Sequence, residues 1–161
     1  KMNWFKSKKK QFPKSITVYL SKEYQSILIV PMHVDKSWVH YEQEEIQNIK
    51  FDASFEEIGQ SLKNSLNKFC EKETNFTYRN KKDWPAFKAS KLKTIKEFET
   101  KYSRISISGL NESNLILAFD ASTTSKDDIN LRTTISAHAD NSDLGNRLLK
   151  IHKAQIEKVI E

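Results

Sequence analysis

The chain has 161 residues, 37% of them hydrophobic, which is enough for one globular domain with a core and too little for two comfortable ones. The formal net charge is +6, but the six lysines of residues 1–14 account for all of it, since the remainder carries 21 basic and 21 acidic residues. A neutral body argues against a nucleic-acid partner, and without about 18 consecutive apolar residues no membrane-spanning helix is expected.

The chain opens with strand-like runs after a basic tail, which we place at residues 1–14. Each run is rich in β-branched or aromatic residues and is bounded by polar ones. The four runs are ITVYL (16–20), SILIVPM (26–32), SWVHYE (37–42) and IQNIKF (46–51).

A helix follows, and its start is marked explicitly. Ser54 stands at the N-cap and Glu57 follows three residues later, a pair typical of a capping box. Ile58, Leu62 and Leu66 then recur at helical spacing and form one apolar stripe.

The middle segment, residues 73–101, joins two halves of the chain. Its start is predicted to be a loop because Asn80, Asp83 and Pro85 cluster there, and Thr94 then begins a short helix. A solvated linker would not need its many large apolar residues, so we expect this segment to pack against the body.

The second half follows the same plan as the first. The predicted strands are SRISIS (103–108), LILAFDAS (115–122) and INLRTTISA (129–137). Asp140 then caps a helix that carries Asp143 at its third position.

An internal repeat is visible in two stretches 86 positions apart, DASFEEIG (52–59) and HADNSDLG (138–145). Residues 15–161 are therefore predicted to form one domain of two pseudo-repeats, about 15–72 and 102–161, each with several strands followed by one helix. This duplicated unit predicts an α+β fold with two antiparallel sheets that complete each other's core.

Gly59 and Gly145 occupy matching places in the two helices, although the chain has only three glycines. Glycine inside a helix costs about 1 kcal/mol relative to alanine. The favoured explanation is close approach of another backbone, and the alternative is an anion site at the helix start. Acidic residues crowd both helix starts, which favours packing.

These same stretches resemble a known family. The sequences DASFEEIGQSLKNSL, WPAFKASKLKTIKEFE and ADNSDLGNRLLKIHK are similar to those of the CdiI immunity proteins of bacterial contact-dependent growth inhibition systems. Members carry a D-x-S-x-E-E-L-G helix start, a variable middle element and a second such helix start. The middle element matches less closely, since Ile95 stands where the family has Trp.

The resemblance covers about residues 16–155 and implies a fold similar to the Whirly fold. It also implies that the chain is not an enzyme. Such proteins bind the C-terminal toxin domain of a CdiA effector, often a nuclease, and block it without covalent chemistry.

A search for reactive chemistry agrees with that expectation. The four histidines lie at His33, His40, His138 and His152, and no spacing gathers three or four metal ligands. Cys70 is alone and the glycines are too few for a phosphate loop. We therefore expect no cofactor, no metal and no catalytic residue. The start KMNWFKSKKKQF lacks the apolar stretch of a secretory signal, so a cytoplasmic location is expected.

Two acidic regions are candidate docking sites for a basic toxin cleft. The first is YEQEE (41–45), where aromatic residues adjoin carboxylates, and the second lies within residues 112–143. The residues assigned to toxin binding are Trp38, Tyr41, Glu42, Glu44, Glu45, Asp120, Asp127 and Asp128. Burial of the aromatic residues in the core, with solvated carboxylates, is the competing interpretation.

The alternative function is binding of single-stranded nucleic acid. Whirly-like proteins use a K-G-K-A-L motif, of which KASKL (88–92) is only a loose echo. Trp38, Tyr41 and Trp84 could stack on bases. The neutral body and the confinement of the excess charge to the tail weigh against this alternative.

Overall fold

The computed structural model describes residues 13–73, 80–119 and 130–157. Within these ranges the chain forms one sheet with helices on both of its faces, so the predicted α+β class is confirmed. The strands are β1 (Ser15–Ser21), β2 (Ser26–Val34), β3 (His40–Glu42), β4 (Gln47–Lys50), β5 (Cys70–Glu71), β6 (Ser103–Gly109), β7 (Asn114–Phe119) and β8 (Leu131–Ser136). The helices are α1 (Phe55–Asn67), α2 (Pro85–Ser90), α3 (Ile95–Lys101) and α4 (Asn141–Glu157), with a 3₁₀ turn at Lys81–Asp83.

The two predicted sheets are a single sheet of eight strands, which corrects that part of the prediction. Its order is β3-β2-β1-β6-β7-β8, with β4 and β5 also paired to β2. The halves join where β1 pairs antiparallel with β6, in the register Ile16 to Ile107 and Val18 to Ile105. Because these apolar residues face the same side of the sheet, pairing the first strand of each half makes one continuous core.

Strand β2 is longer than its neighbours and serves two groups of partners. Its first half pairs with β4, and its last residues pair with β3 and, in parallel, with β5. Residues 43–46 bulge out between β3 and β4, so both lie along the same edge of β2. The turn that joins β2 to β3 therefore lies at the end of the sheet where β2 ends and β1 begins.

The main core lies between the sheet and the helices α1 and α4. The periodicity of the sequence produces it, because Ile58, Leu62 and Leu148 recur at helical spacing and are fully buried against alternate strand residues such as Ile29 and Ile105. Ser54 caps α1 as predicted, its Oγ accepting a hydrogen bond from the N–H of Glu57 at 3.1 Å.

The opposite face of the sheet is covered by the middle segment. Phe98 of α3 and Ala86 of α2 pack on Tyr19 and Leu28 of the sheet and form a second apolar cluster. The expectation that this segment packs against the body is confirmed. The predicted loop around Pro85 is instead the helix α2, with Pro85 in its first turn, where a missing N–H costs nothing.

The two matched glycines lie at the crossing of α1 and α4. A Cβ atom on Gly59 would overlap the backbone of Asn141, and one on Gly145 would overlap the backbone of Phe55. Each glycine is thus the fifth residue of its helix and touches the first residue of the other. Asn141 Nδ2 also donates to Glu56 Oε1 at 2.6 Å, so the helix starts hold each other and the contact is one of packing.

His152 on α4 makes the stability depend on pH. It is 3% exposed and its ring meets that of Phe51 edge to face at 5.5 Å. Burial lowers the pKa of His152 from 6.5 to about 4. The matching position of the first half, 86 residues earlier, holds Leu66.

Since the folded pKa of His152 lies below the unfolded one, the neutral ring stabilises the fold above pH 6.5, and this contribution is lost as the pH falls toward 4. Between pH 7.5 and pH 5 we expect the unfolding free energy to fall by about 2 kcal/mol from this residue. Urea unfolding at both pH values measures it. In His152→Leu that part of the loss is expected to vanish, and an equal loss in both proteins would contradict the assignment.

Candidate functional site

The turn between β2 and β3 is built around one carboxylate, that of Asp35. Its Oδ1 accepts hydrogen bonds from the backbone N–H groups of Ser37 at 2.8 Å and Val39 at 3.0 Å. The backbone closes the same turn, with the N–H of Trp38 on the Asp35 carbonyl and the N–H of Asp35 on the Val39 carbonyl, both at 3.1 Å. Four bonds across five residues give the turn a defined shape.

Trp38 stands at the tip of this turn in an unusual backbone conformation. Its φ is +66°, in the left-handed region that glycine and asparagine adopt more readily than a tryptophan. Trp38 is 47% exposed, and the adjacent Val39 is 45% exposed. A large apolar residue here gives up about 1 kcal/mol of backbone energy and leaves much of its surface in water.

Tyr41 supports the turn from the side. Its hydroxyl donates to Asp35 Oδ2 at 3.2 Å, and its ring stacks on His33 with the ring centroids 5.4 Å apart. Tyr41 is half-buried in this arrangement. The structure therefore places it beneath the turn, where it fixes the Asp35 carboxylate, and gives the exposed position to Trp38.

Glu42 points to the face of the sheet that α2 and α3 cover. It accepts a hydrogen bond from the Tyr19 hydroxyl at 2.6 Å through Oε1, and one from the N–H of Ala86 at 3.0 Å through Oε2. Burial and then the Glu42 carboxylate raise the pKa of Tyr19. Glu42 thus ties β3 to the core and to the first turn of α2.

Glu44 and Glu45 lie in the exposed bulge between β3 and β4. Glu45 pairs with Lys68 at 3.0 Å. Gln43 anchors the bulge, its Nε2 donating to the carbonyls of Met32 and Lys68, both at 2.8 Å. Over residues 35–45 four acidic residues face one lysine, a net charge of −3 in a chain of +6. We call Trp38, Val39, Glu44 and Glu45 the edge surface.

The other predicted residues lie elsewhere. Asp120, Asp127 and Asp128 fall outside the described residues, so their assignment to toxin binding stays a prediction. Ser54, Glu57, Gly59, Asp140 and Gly145 are at the helix crossing, at the opposite end of α1 from the edge surface.

Sequence reasoning missed Val39 of the edge surface and Asp35, which shapes the turn that carries it. Asp35 was not predicted to close a turn, although an Asp followed two residues later by Ser37 is a signal for a turn closed by the carboxylate. Val39 was assigned to a strand that in fact begins at His40.

Within residues 13–73, 80–119 and 130–157, no three His, Cys, Asp or Glu side chains are grouped as metal ligands would be. The same ranges contain no helix of the length and apolar character needed to cross a membrane.

The fold is of the α+β class, and the partly apolar edge surface is the candidate site on it. No family model matches the sequence, and no curated protein does either. Among solved structures it is similar to a protein of unknown function from Neisseria meningitidis, NMB0488, with 12% identity and a TM-score of 0.62 over 85% of this chain and 92% of that one.

It is also similar to a chain of the CdiA-CT/CdiI toxin and immunity complex from Yersinia pseudotuberculosis. The identity is 10% and the TM-score 0.57, over 86% of this chain and 96% of that one. At these identities the likeness concerns the fold. The comparison therefore shows that this protein shares its fold with a chain of that complex.

Proposed function

We propose that this chain is an immunity protein that binds the C-terminal toxin domain of a CdiA protein and neutralises it as a stoichiometric, non-covalent inhibitor. The observation that carries the proposal is the exposed Trp38, held at a φ of +66° by the Asp35 turn beside Val39. The fold likeness to a chain of a toxin and immunity complex supports it.

The conformation of Trp38 favours a binding role over a folding role. Glycine and asparagine adopt this φ at lower cost. Gln25 and Lys91 also have a positive φ, so it is the size and exposure of the tryptophan, together with its φ, that favour a binding role. Tryptophan is the side chain most enriched among residues that dominate binding energy, since it buries a large rigid surface with few torsions to freeze. A partner that covers the exposed part of Trp38 would offset the cost of its backbone conformation.

The carboxylates of the edge surface indicate that the partner is positively charged where it docks. Glu44 and Glu45 are exposed, although Glu45 also pairs with Lys68. Along the sequence, residues 35–45 sum to a net charge of −3 in a chain that is basic as a whole. A nuclease toxin holds its anionic substrate in a basic cleft, so such a cleft would be drawn to this region. The proposed toxin is accordingly a nuclease, and the proposed inhibitor acts by covering its cleft without performing a reaction.

Reversing both exposed carboxylates should slow complex formation. For Glu44→Lys with Glu45→Lys we expect the association rate with the toxin to fall roughly tenfold at low salt, with a smaller change in the dissociation rate, because rim charges act mainly on encounter. Stopped-flow mixing at two salt concentrations measures both.

A matched control is available at the far end of the molecule. Glu23 and Glu157 are exposed carboxylates that pair with Lys101 and Lys153, much as Glu45 pairs with Lys68. Reversing both of them changes the net charge by the same amount and is expected to alter the association rate much less. Equal slowing by the two double variants would show that only net charge matters, against a docking role for the edge surface.

The proposal itself is tested by co-expression with a CdiA C-terminal domain, which on this proposal is encoded by the gene immediately upstream. The expected result is restored growth and a complex that survives purification. Continued growth arrest, with no complex between the two purified proteins, would remove the immunity function.

A further inference from the structure

An open groove of about 680 Å³ lies beside the C-terminal end of α1. Leu66, Leu110, Leu115 and Ala137 give it apolar walls, and Leu110, on the turn between β6 and β7, is 60% exposed. Lys14 and Lys63 also line it. The volume is in the range of cavities that hold a ligand or a partner's side chain.

The duplicated architecture supplies an internal reference for this groove. A smaller cavity of about 290 Å³ lies beside the C-terminal end of α4, on the turn between β1 and β2. The two cavities are related by the repeat. At the offset of 86 residues that relates the helices, the matching lining residues are 63 and 149, 66 and 152, 67 and 153, and 137 and 51. At the offset of 88 residues that relates the strands, residue 110 of one hairpin matches residue 22 of the other.

The second cavity is the smaller because an aromatic ring and an extra helical turn occupy its space. Phe51 stands where the first half-site has Ala137, and its ring packs on His152. Helix α4 has 17 residues and α1 has 13, so α4 continues past the point at which α1 stops. The groove beside α1 is thus a site that the same fold fills with a phenyl ring in its other half.

The charges at the groove indicate which chemical group should lie beside an aromatic ring bound there. Lys14 Nζ donates to Asn67 Oδ1 at 3.0 Å, and Lys63 Nζ donates to the carbonyl of Ala139. Each ammonium group has three N–H donors, so both retain capacity for an anion. Among the described residues that line the groove, Glu112 is the one acidic residue, against these two lysines.

The groove and the edge surface lie near each other at one end of the sheet. Ser15, next to Lys14, has its Oγ 2.9 Å from His40 Nδ1, and the His40 ring packs on Phe69 with the centroids 6.0 Å apart. Lys68, which follows the groove residue Asn67, pairs with Glu45 of the edge surface. A single partner can therefore cover both sites at this end of the sheet.

We propose that this groove receives an aromatic side chain adjacent to a carboxylate, presented by the toxin that the edge surface binds. The inference rests on the proposed function and makes it more specific. The partner must offer a basic patch to Glu44 and Glu45 and, beside it, an aromatic and acidic element to the groove. This pairing of opposite charges would discriminate among toxins of similar fold.

The first test uses a probe of matching chemistry, the aromatic anion 1-anilinonaphthalene-8-sulfonate. In Ala137→Phe the new ring takes the place that Phe51 has in the other half, so we expect the protein to fold and its probe fluorescence to fall at least fivefold. Leu110→Glu, at an exposed position, is expected to do the same by adding a negative charge. Lys22→Glu, the matching residue at the smaller cavity, is the control and should have little effect.

The second test uses the toxin. Ala137→Phe and Leu110→Glu are each expected to lower its affinity at least tenfold, and Lys22→Glu is not. If Trp38→Asn weakens the complex and both groove variants bind as tightly as the wild type, the groove inference fails while the proposed function stands. If the wild-type protein forms no complex, the proposed function fails first.

A protein lacking residues 1–12 tests whether the chain's own N-terminal residues, rather than the toxin, occupy the groove. With the toxin as the natural occupant, probe fluorescence should be unchanged by this deletion. A groove that binds the probe only after the deletion would be one covered by the chain's own N-terminal residues, and the inference would be wrong.

Discussion

Replacing Trp38 by asparagine is expected to weaken the complex with the toxin at least about a hundredfold, close to 3 kcal/mol of binding free energy. The free energy of unfolding should stay within about 1 kcal/mol of the wild-type value. Asparagine tolerates the φ of +66° better than tryptophan, which offsets the contacts that the half-exposed ring gives up. Calorimetric titration of the complex and urea unfolding of the free protein measure the two quantities.

Phe55 provides the control for this variant. Phe55 is also 47% exposed, but it lies at the start of α1, away from the edge surface. Phe55→Ala is expected to leave the affinity within about threefold. Unfolding of Trp38→Asn would show that Trp38 is needed for the fold. Toxin binding as tight as that of the wild type would show that Trp38 does not anchor the edge surface.

Replacing Gly59 or Gly145 by alanine is expected to lower the unfolding free energy by about 2–4 kcal/mol. Alanine alone would favour either helix by about 1 kcal/mol. Here the new Cβ would overlap the backbone of the facing helix, at Asn141 for Gly59 and at Phe55 for Gly145. Backbone cannot move aside as the end of a side chain does, so α1 and α4 must separate and the core beneath them loosens.

The third glycine is the control for both variants. A Cβ on Gly109 would lie 3.7 Å from the carbonyl oxygen of Asn111, which is ordinary contact. Gly109→Ala is therefore expected to change the unfolding free energy by less than about 1 kcal/mol. Thermal and urea unfolding compare the three proteins, and similar stabilities in all three would mean that the helices do not need this close crossing.

Features encoded locally in the sequence were predictable. The apolar alternation of ITVYL and the helical stripe from Ile58 to Leu66 set the core-facing sides of β1 and α1. Thr94 caps α3 as predicted, its Oγ1 accepting from the N–H of Glu97 at 3.1 Å. The matched glycines also predicted the close approach of another backbone to each helix, and that backbone is the start of the other helix.

Features that depend on distant parts of the chain were not predictable. Pairing of β1 with β6 joins residues nearly 90 positions apart, and no local pattern distinguishes one joined sheet from two. Helix α2 has six residues and is held by Ala86 packing on β2, so propensity alone does not reveal it.

The candidate site shows the same division. The stretch from Trp38 to Glu45 was recognised from its aromatic and acidic composition. Composition did not reveal that Glu42 turns inward to Tyr19 and Ala86, that Tyr41 supports the turn, or that Trp38 takes a left-handed φ. Those assignments depend on where β2 ends and on which face of β3 each residue lies.

The measurement that bears most directly on the account is a titration of toxin activity with this protein at concentrations far above the dissociation constant. A stoichiometric inhibitor predicts a linear loss of toxin activity that reaches zero at one molar equivalent, with active toxin recovered when the complex is dissociated. Undiminished toxin activity at a large molar excess, or complete and lasting inactivation by a small fraction of an equivalent, would contradict it.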